Sequence, residues 1–227
     1  DIIALSGVDN VSIGDTISSL TEPLALPRLQ VDEPTVSMMF YVNDSPFAGK
    51  EGKYLTSRHL LERLEKEALR NVAIKIKKLD RTDAFEVCGR GELQMAVLVE
   101  TMRREGYEMM VSRARVITRE QNGKTYEPVE RLLLDIPEEF VGKITEKLSI
   151  RKGRMESLIN KGSGRVSMEF LIPSRGLIGF RSQFLTDTKG SGVMNSLLED
   201  YAPWFGSIPQ RMTGVLVSDR SGHVTPY

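Results

Sequence analysis

The sequence predicts an α+β protein in which one pattern of strands and helices occurs twice. Two Glu-Pro pairs, at residues 33–34 and 127–128, each open a run that reads strand, helix, strand, strand, helix, strand. Apolar residues alternate along the strands and recur every three or four residues along the helices, as in helices that cover one face of a sheet. This order is the split βαβ arrangement, so we expect two tandem ferredoxin-like βαββαβ domains.

The first unit occupies residues 31–115. Its predicted strands are TVSMMFYV, VAIKIKK, AFEVCG and YEMMVS, with the polar loop NDSPFAGKEGKY after the first strand. The first helix extends from Thr56 to about Leu69. Its apolar face consists of Leu60, Leu61, Leu64 and Ala68. The apolar face of the second helix consists of Met95, Leu98, Val99 and Met102.

The second unit occupies residues 116–203. Its strands are VERLLLDI, RMESLI, RVSMEFLI and GVMNSLLEDY. Glu138 and Glu139 mark the opening turn of its first helix, and basic residues followed by Gly153 mark its end, an order that the helix dipole favours. The second helix is predicted from Ser174 to about Thr188.

That last helix contains Gly176 and Gly179 in its first turns. Each glycine costs about 1 kcal/mol of helix propensity relative to alanine. The two glycines therefore indicate that another backbone approaches closely, and packing within the protein is favoured over contact with RNA.

The flanking segments belong to neither unit. Residues 1–30 contain two short β-rich pieces, too few to close a sheet alone. The stretch LPRLQVDEP reads as an extended linker. Residues 204–227 begin a new segment, so we expect the chain to be a piece of a longer protein.

Composition limits the possible functions. The 227 residues carry no net charge, so any nucleic-acid partner must be met by local basic clusters. The one cysteine, Cys88, excludes a disulfide framework and is expected to be apolar filler in a reducing compartment. His59 and His223 are too few for a zinc site. We expect neither a membrane span nor a signal peptide.

Two glycine-containing segments raise the question of a nucleotide site. The run GRGEL, residues 89–93, joins a strand to a helix, but Glu92 already places a carboxylate at the helix start. A structural joint is therefore favoured over an anion contact. The segment TREQNGKT, residues 118–125, lacks the first glycine of a phosphate-binding loop, and its Asn-Gly pair predicts a tight hairpin. We expect no catalytic, cofactor-binding or metal-binding residue in this chain.

Basic residues are expected to converge at the ends of the sheets. In a βαββαβ unit, the α1-to-β2 and β3-to-α2 connections lie at the same end, so distant cations meet there. The candidates for contact with RNA phosphates are Lys50, Lys53, Arg151, Lys152, Arg154, Lys161, Arg165, Arg175, Arg181 and Lys189. The alternative, a solvated surface of helix-terminal and loop cations, stays open for each residue.

The longest motifs identify a family resemblance. The segments VDEPTVSMMFYVNDSPFAGKEGKYLTSR, GRGELQMAVLVETMRREGYE, EPVERLLLDIPEEFVGKI and IPSRGLIGFRSQFLTDTKGSG closely resemble the BipA/TypA family of translational GTPases. The resemblance implies that residues 1–30 end a β-barrel domain II, and that 31–115 and 116–203 are domains III and V. Residues 204–227 would begin a family-specific C-terminal domain.

The resemblance also implies a function. The parent protein would bind GTP and Mg²⁺ in a GTPase domain outside this chain, and would act on the ribosome in the bacterial cytoplasm, in ribosome assembly and in stress or cold adaptation. The chain would be a monomer that touches ribosomal RNA, ribosomal proteins and its own GTPase domain, but no membrane. One alternative is a stand-alone regulatory module that binds a ligand between paired ferredoxin-like domains. Another is a purely structural spacer, which predicts no salt-dependent affinity for RNA.

Overall fold

The computed structural model describes residues 2–8, 11, 13–27, 33–209 and 222–223. Most of the predicted linker and most of the final segment therefore lie outside the described residues. The described residues before position 28 are exposed and form no strand, so the β-rich pieces expected there are not strands here. Strands need partners to satisfy their backbone groups, and the described part of the chain offers none to this segment.

The first domain has the predicted order of elements. They are β1 (Val36–Val42), α1 (Ser57–Arg70), β2 (Lys75–Lys78), β3 (Ala84–Gly89), α2 (Glu92–Arg104), β4 (Met109–Val111) and β5 (Arg115–Val116). The sheet is antiparallel with strand order β2-β3-β1-β4, and β5 also pairs with β1. The side chain of Thr56 accepts a hydrogen bond from the His59 N–H and so caps α1.

The core of the first domain lies between this sheet and its two helices. The buried apolar residues are Phe40, Leu60, Leu64, Ile74, Phe85, Val87, Met95, Leu98 and Met102. Cys88 is fully buried in β3, and burial raises the pKa of its thiol, as expected for apolar filler.

The second domain repeats the pattern. Its elements are β6 (Arg119–Gln121), β7 (Lys124–Pro137), a 3₁₀ turn (Glu138–Phe140), α3 (Val141–Ile150), β8 (Arg154–Asn160), β9 (Arg165–Pro173), α4 (Ser174–Leu177), α5 (Phe180–Asp187) and β10 (Val193–Pro203). The antiparallel order is β10-β7-β9-β8, and β6 pairs with β7. Asn122 and Gly123 form the predicted hairpin turn, both with positive φ.

The core of the second domain is again one layer between sheet and helices. It contains Leu132, Leu134, Ile136, Ile144, Leu148, Val166, Met168, Phe170, Ile172, Phe180 and Phe184. The predicted α+β class with two ferredoxin-like domains is confirmed.

The single helix predicted from Ser174 to Thr188 is wrong in one respect, because it is broken in two. Gly179 has a φ of 70°, in the left-handed region, and separates α4 from α5. Gly176 remains helical, and a Cβ built on it would lie 2.7 Å from the carbonyl oxygen of Arg151. The close approach expected at these glycines therefore occurs at Gly176, and it comes from the protein's own backbone.

Candidate nucleic-acid interface

The two loops at one end of the second sheet meet as the topology predicts. Arg151 follows α3, and its Nη1 donates hydrogen bonds to the carbonyl oxygens of Gly176 (2.8 Å) and Ile178 (3.2 Å). Its guanidinium also lies 5.2 Å from the ring centroid of Phe180. Burial lowers the pKa of Arg151, and its donors are directed into the protein. Arg151 therefore joins the two loops rather than projecting from them.

Arg175 is engaged even more fully within the domain. Its side chain is 13% exposed and forms an ion pair with Glu127, which is 0% exposed. The guanidinium lies 3.8 Å from the ring centroid of Trp204 and donates to the carbonyl oxygen of Gly206. Glu127 also accepts a hydrogen bond from the Phe205 N–H at 2.8 Å. This cluster fixes the chain that leaves β10.

Three further cations have acidic partners on the surface. Arg154 lies 2.9 Å from Glu156. Lys161 and Arg165 both contact Asp135, and their hydrogen bonds hold the pKa of that carboxyl below its ordinary value. Arg154 and Lys161 are exposed, and exposed pairs of this kind are weak and exchange with solvent. Arg165 is half-buried and also donates to the carbonyl oxygens of Asp135 and Ser191.

Lys152 and Lys189 occupy an unusual backbone position. Their φ angles are 68° and 51°, and Asn122 is the one other non-glycine residue with positive φ in the described part of the chain. Each lysine directly follows the C-cap of a helix, α3 or α5, where glycine is the common residue.

The hydrogen bonds at both helix ends form the Schellman motif. The N–H groups of Lys152 and Gly153 donate to the carbonyls of Ser149 and Leu148, at 3.0 and 2.8 Å. Those of Lys189 and Gly190 donate to Thr186 and Leu185, at 3.2 and 2.8 Å. The sequence had placed the end of α3 at Gly153, but the left-handed residue is Lys152, one position earlier.

Arg181 lies on α5 beside a cleft between the two domains. The cleft has a volume of about 510 Å³, and Leu93 of α2 lies on its opposite wall. A Glu92 carboxylate oxygen accepts a hydrogen bond from the Gly179 N–H across the cleft, at 2.8 Å. An ion pair between Arg119 and Glu33 also links the second domain to the first.

The GRGEL joint is therefore a contact between domains. Glu92 stands at the start of α2, where we expected it to occupy the favourable potential, and its partner is the other domain. Behind it, the side chain of Gln94 accepts from the Arg90 N–H at 2.8 Å. These contacts support the interpretation of GRGEL as a structural joint. The second segment, residues 118–125, forms the β6–β7 hairpin and not a strand–loop–helix, so it does not fit a nucleotide phosphate.

Lys50 and Lys53 lie on the long loop between β1 and α1. The loop encloses the carboxylate of Glu108, which accepts from the N–H groups of Gly49, Glu51 and Gly52 at 2.6 to 2.7 Å. The Asn43 side chain donates to it at 3.3 Å. These donors stabilise the ionised form and lower the pKa of Glu108 to about 2.

The loop should loosen when Glu108 loses its charge. Its folded pKa lies below the ordinary value of 4.5, so its stabilising effect is full above about pH 4.5 and is lost as pH falls toward 2. At neutral pH, Glu108→Gln should speed amide hydrogen exchange at Gly49, Glu51 and Gly52, as measured by NMR. Asp44→Asn removes one negative charge from the loop itself, outside the cradle, and should leave these rates unchanged. Equal exchange in Glu108→Gln and the parent would contradict the cradle's role.

Sequence reasoning missed three carboxylates that hold loops and cations in place. Glu108, Glu127 and Asp135 each sit on a strand or next to one, and the groups they bind lie 26 to 78 positions away. Only Glu127 could have been singled out from the sequence, because it belongs to one of the two Glu-Pro pairs that open the units.

Within the described residues, no helix is long and apolar enough to cross a membrane.

Comparison with known proteins gives a consistent picture. Residues 124–212 match the family described as elongation factor G C-terminus. The whole chain is 50% identical to the large ribosomal subunit assembly factor BipA of Haemophilus influenzae, of which it covers 37%. It is 48% identical to BipA of Salmonella typhimurium and 47% identical to that of a Synechocystis species, and covers 38% of each. The chain therefore spans a little over a third of the length of these relatives.

Proposed function

We propose that this chain, which belongs to the BipA family, is the ribosome-docking part of a translational GTPase. In this proposal the two domains contact ribosomal RNA and couple that contact to a GTPase domain that binds GTP and Mg²⁺ elsewhere in the protein. The names of the relatives support an association with the ribosome, and specifically with assembly of the large subunit.

The observation that carries the proposal is the position of Lys152 and Lys189. A left-handed conformation costs a residue with a Cβ roughly 1–2 kcal/mol, whereas glycine adopts it freely. A lysine at such a position lowers fold stability, and the ring contact between the Lys189 ammonium and Phe140, at 5.7 Å from the ring centroid, returns only about 0.5–1 kcal/mol. A function of the ammonium group therefore accounts for the two lysines better than structure does. The two Schellman motifs also fix the two lysine backbones, one at each end of the second domain.

The other candidate cations divide into two groups. Arg151, Arg165 and Arg175 direct their donors into the protein, and we propose that they position the loops. The exposed cations are proposed to meet phosphates directly, and they are Lys50, Lys53, Arg154, Lys161 and Arg181. Stress and cold adaptation remain proposals for the whole protein.

Replacing both lysines by glycine should separate binding from stability. In Lys152→Gly/Lys189→Gly, the free energy of unfolding in urea should rise by about 1 kcal/mol per site, because the left-handed strain is relieved. Ribosome affinity, measured by co-sedimentation across a salt series, should fall. The slope of log K against log salt should decrease by about 1 for each phosphate that the variant no longer binds.

Asn122→Gly provides the matched control, because it relieves a positive φ in a hairpin turn without removing a cation. It should leave both the affinity and the salt slope unchanged. If the double glycine variant binds ribosomes with the parent's affinity and slope, the two lysines do not contact RNA and the proposal loses its main support.

The cleft between the domains favours a second candidate, the ligand-binding regulatory module. Its lining is largely apolar, and Leu93, Leu177 and Leu185 contribute to it. A module of this kind predicts a hollow interface, which the cleft provides, but it gives no reason for lysines at left-handed positions. Ala96→Phe would fill the cleft. If the chain is a ligand-binding module, this variant should lose that function. If the chain docks on the ribosome through its cations, the variant should keep salt-dependent ribosome binding.

A further inference from the structure

Phe47 is the most exposed aromatic side chain in the first domain. Its relative exposure is 65%, whereas the other seven phenylalanines of the protein are buried or half-buried. It stands on the loop between β1 and α1, two residues before Gly49, which has a φ of 81°. A ring this exposed gains nothing from the core, so its presence needs another account.

The loop holds Phe47 in an ordered turn. The Ala48 N–H donates to the carbonyl of Ser45 at 3.0 Å, and the Lys50 N–H donates to the carbonyl of Phe47 at 3.3 Å. The cradle around Glu108 closes the same loop just beyond the turn. Little backbone entropy of this loop remains to be lost when the ring meets a partner, which favours binding.

The charge next to the ring is positive. The Lys50 ammonium lies 4.7 Å from the ring centroid, and Lys53 is exposed on the same loop. Of the nearby acids, Glu108 is ionised but its carboxylate is enclosed by backbone N–H donors, and Glu51 is attracted to Arg103. Asp44 is the remaining acid of the loop, on the other side of Phe47 in sequence. An aromatic face with a lysine beside it suits an unpaired base and its phosphate, because every base offers a face for stacking.

We propose that Phe47 stacks on an unpaired base of ribosomal RNA and that Lys50 contacts an adjacent phosphate. This inference rests on the proposed function, since it names the contact through which the first domain docks. It adds a contact that is independent of salt to the ionic contacts of the lysines.

Crosslinking identifies what lies against the ring. The 227-residue chain carrying 4-azidophenylalanine at position 47 is bound to ribosomes, irradiated, and the attached species is identified. Attachment to ribosomal RNA is the expected result. Attachment to a ribosomal protein would overturn the proposal, and so would the absence of attachment while the chain remains bound.

Substitutions then test whether stacking is the interaction. Phe47→Ala should weaken ribosome binding roughly 5- to 150-fold, the range for loss of one base stack, without changing the salt slope. Phe47→Leu should weaken binding as much, because leucine is apolar but has no aromatic face, whereas Phe47→Trp should retain binding. Lys50→Ala should instead reduce the slope by about 1.

The outcomes separate this inference from the proposed function. If the parent chain binds ribosomes and Phe47→Ala or Phe47→Leu binds equally well, only the stacking inference fails. If the parent chain does not bind ribosomes under any salt condition, the docking function fails and the stacking inference fails with it.

Discussion

Replacing Glu127 by alanine should destabilise the second domain by about 3–5 kcal/mol, because Arg175 then becomes an unpaired and largely buried charge. Glu127 is fully buried and receives hydrogen bonds from the Arg175 guanidinium and from the Phe205 N–H. Its removal therefore leaves two donors without an acceptor and also removes the attraction between the two charges.

The protein's one tryptophan reports on this cluster. Trp204 stacks on the guanidinium of Arg175, so its fluorescence should change as the second domain unfolds in urea. Far-UV circular dichroism follows the loss of secondary structure in parallel. Asp83→Ala removes a carboxylate from an exposed pair with Arg81 and should change the unfolding curve little.

A double substitution separates charge from packing. In Glu127→Met/Arg175→Met, no charge remains to be buried, so the domain should regain most of the stability that Glu127→Ala removes. If the double variant is as unstable as Glu127→Ala, the destabilisation comes from the disrupted packing against Trp204 and not from the uncompensated charge. A Glu127→Ala variant within about 1 kcal/mol of the parent would contradict the importance of the pair.

The order of elements could be predicted because its signals are local. The face of α1 that carries Leu60 and Leu64 and the Asn122-Gly123 turn each follow from a few adjacent residues. The break in the last helix was missed because a glycine at position 179 fits either a weak helix or a left-handed joint. Only the packing of α4 and α5 against the sheet decides between them.

Only part of the candidate site could be predicted from the sequence. The meeting of the Arg151 and Arg175 loops follows from topology alone, and the structure contains it. Which cations remain available for a phosphate depends on acids distant in sequence, and Glu127 lies 48 residues from Arg175. Likewise, a lysine in the left-handed region looks like any other helix-terminal lysine until the backbone is known.

Gly176→Ala should destabilise the second domain by about 1–3 kcal/mol, because the added methyl group would overlap backbone that cannot move freely. Its Cβ would lie 2.7 Å from the Arg151 carbonyl oxygen and 3.1 Å from two carbons of the buried Ile172 side chain. To relieve this overlap, the loop after α3 must move away from α4, which stretches the hydrogen bonds from Arg151 to the Gly176 and Ile178 carbonyls.

Gly142→Ala is the control, because residue 142 lies within α3 with open space at its Cβ position. Alanine there should stabilise the helix by up to about 1 kcal/mol. Urea unfolding of the two variants should therefore shift in opposite directions, and a Gly176→Ala variant as stable as the parent would mean that the two loops are not held together at this point.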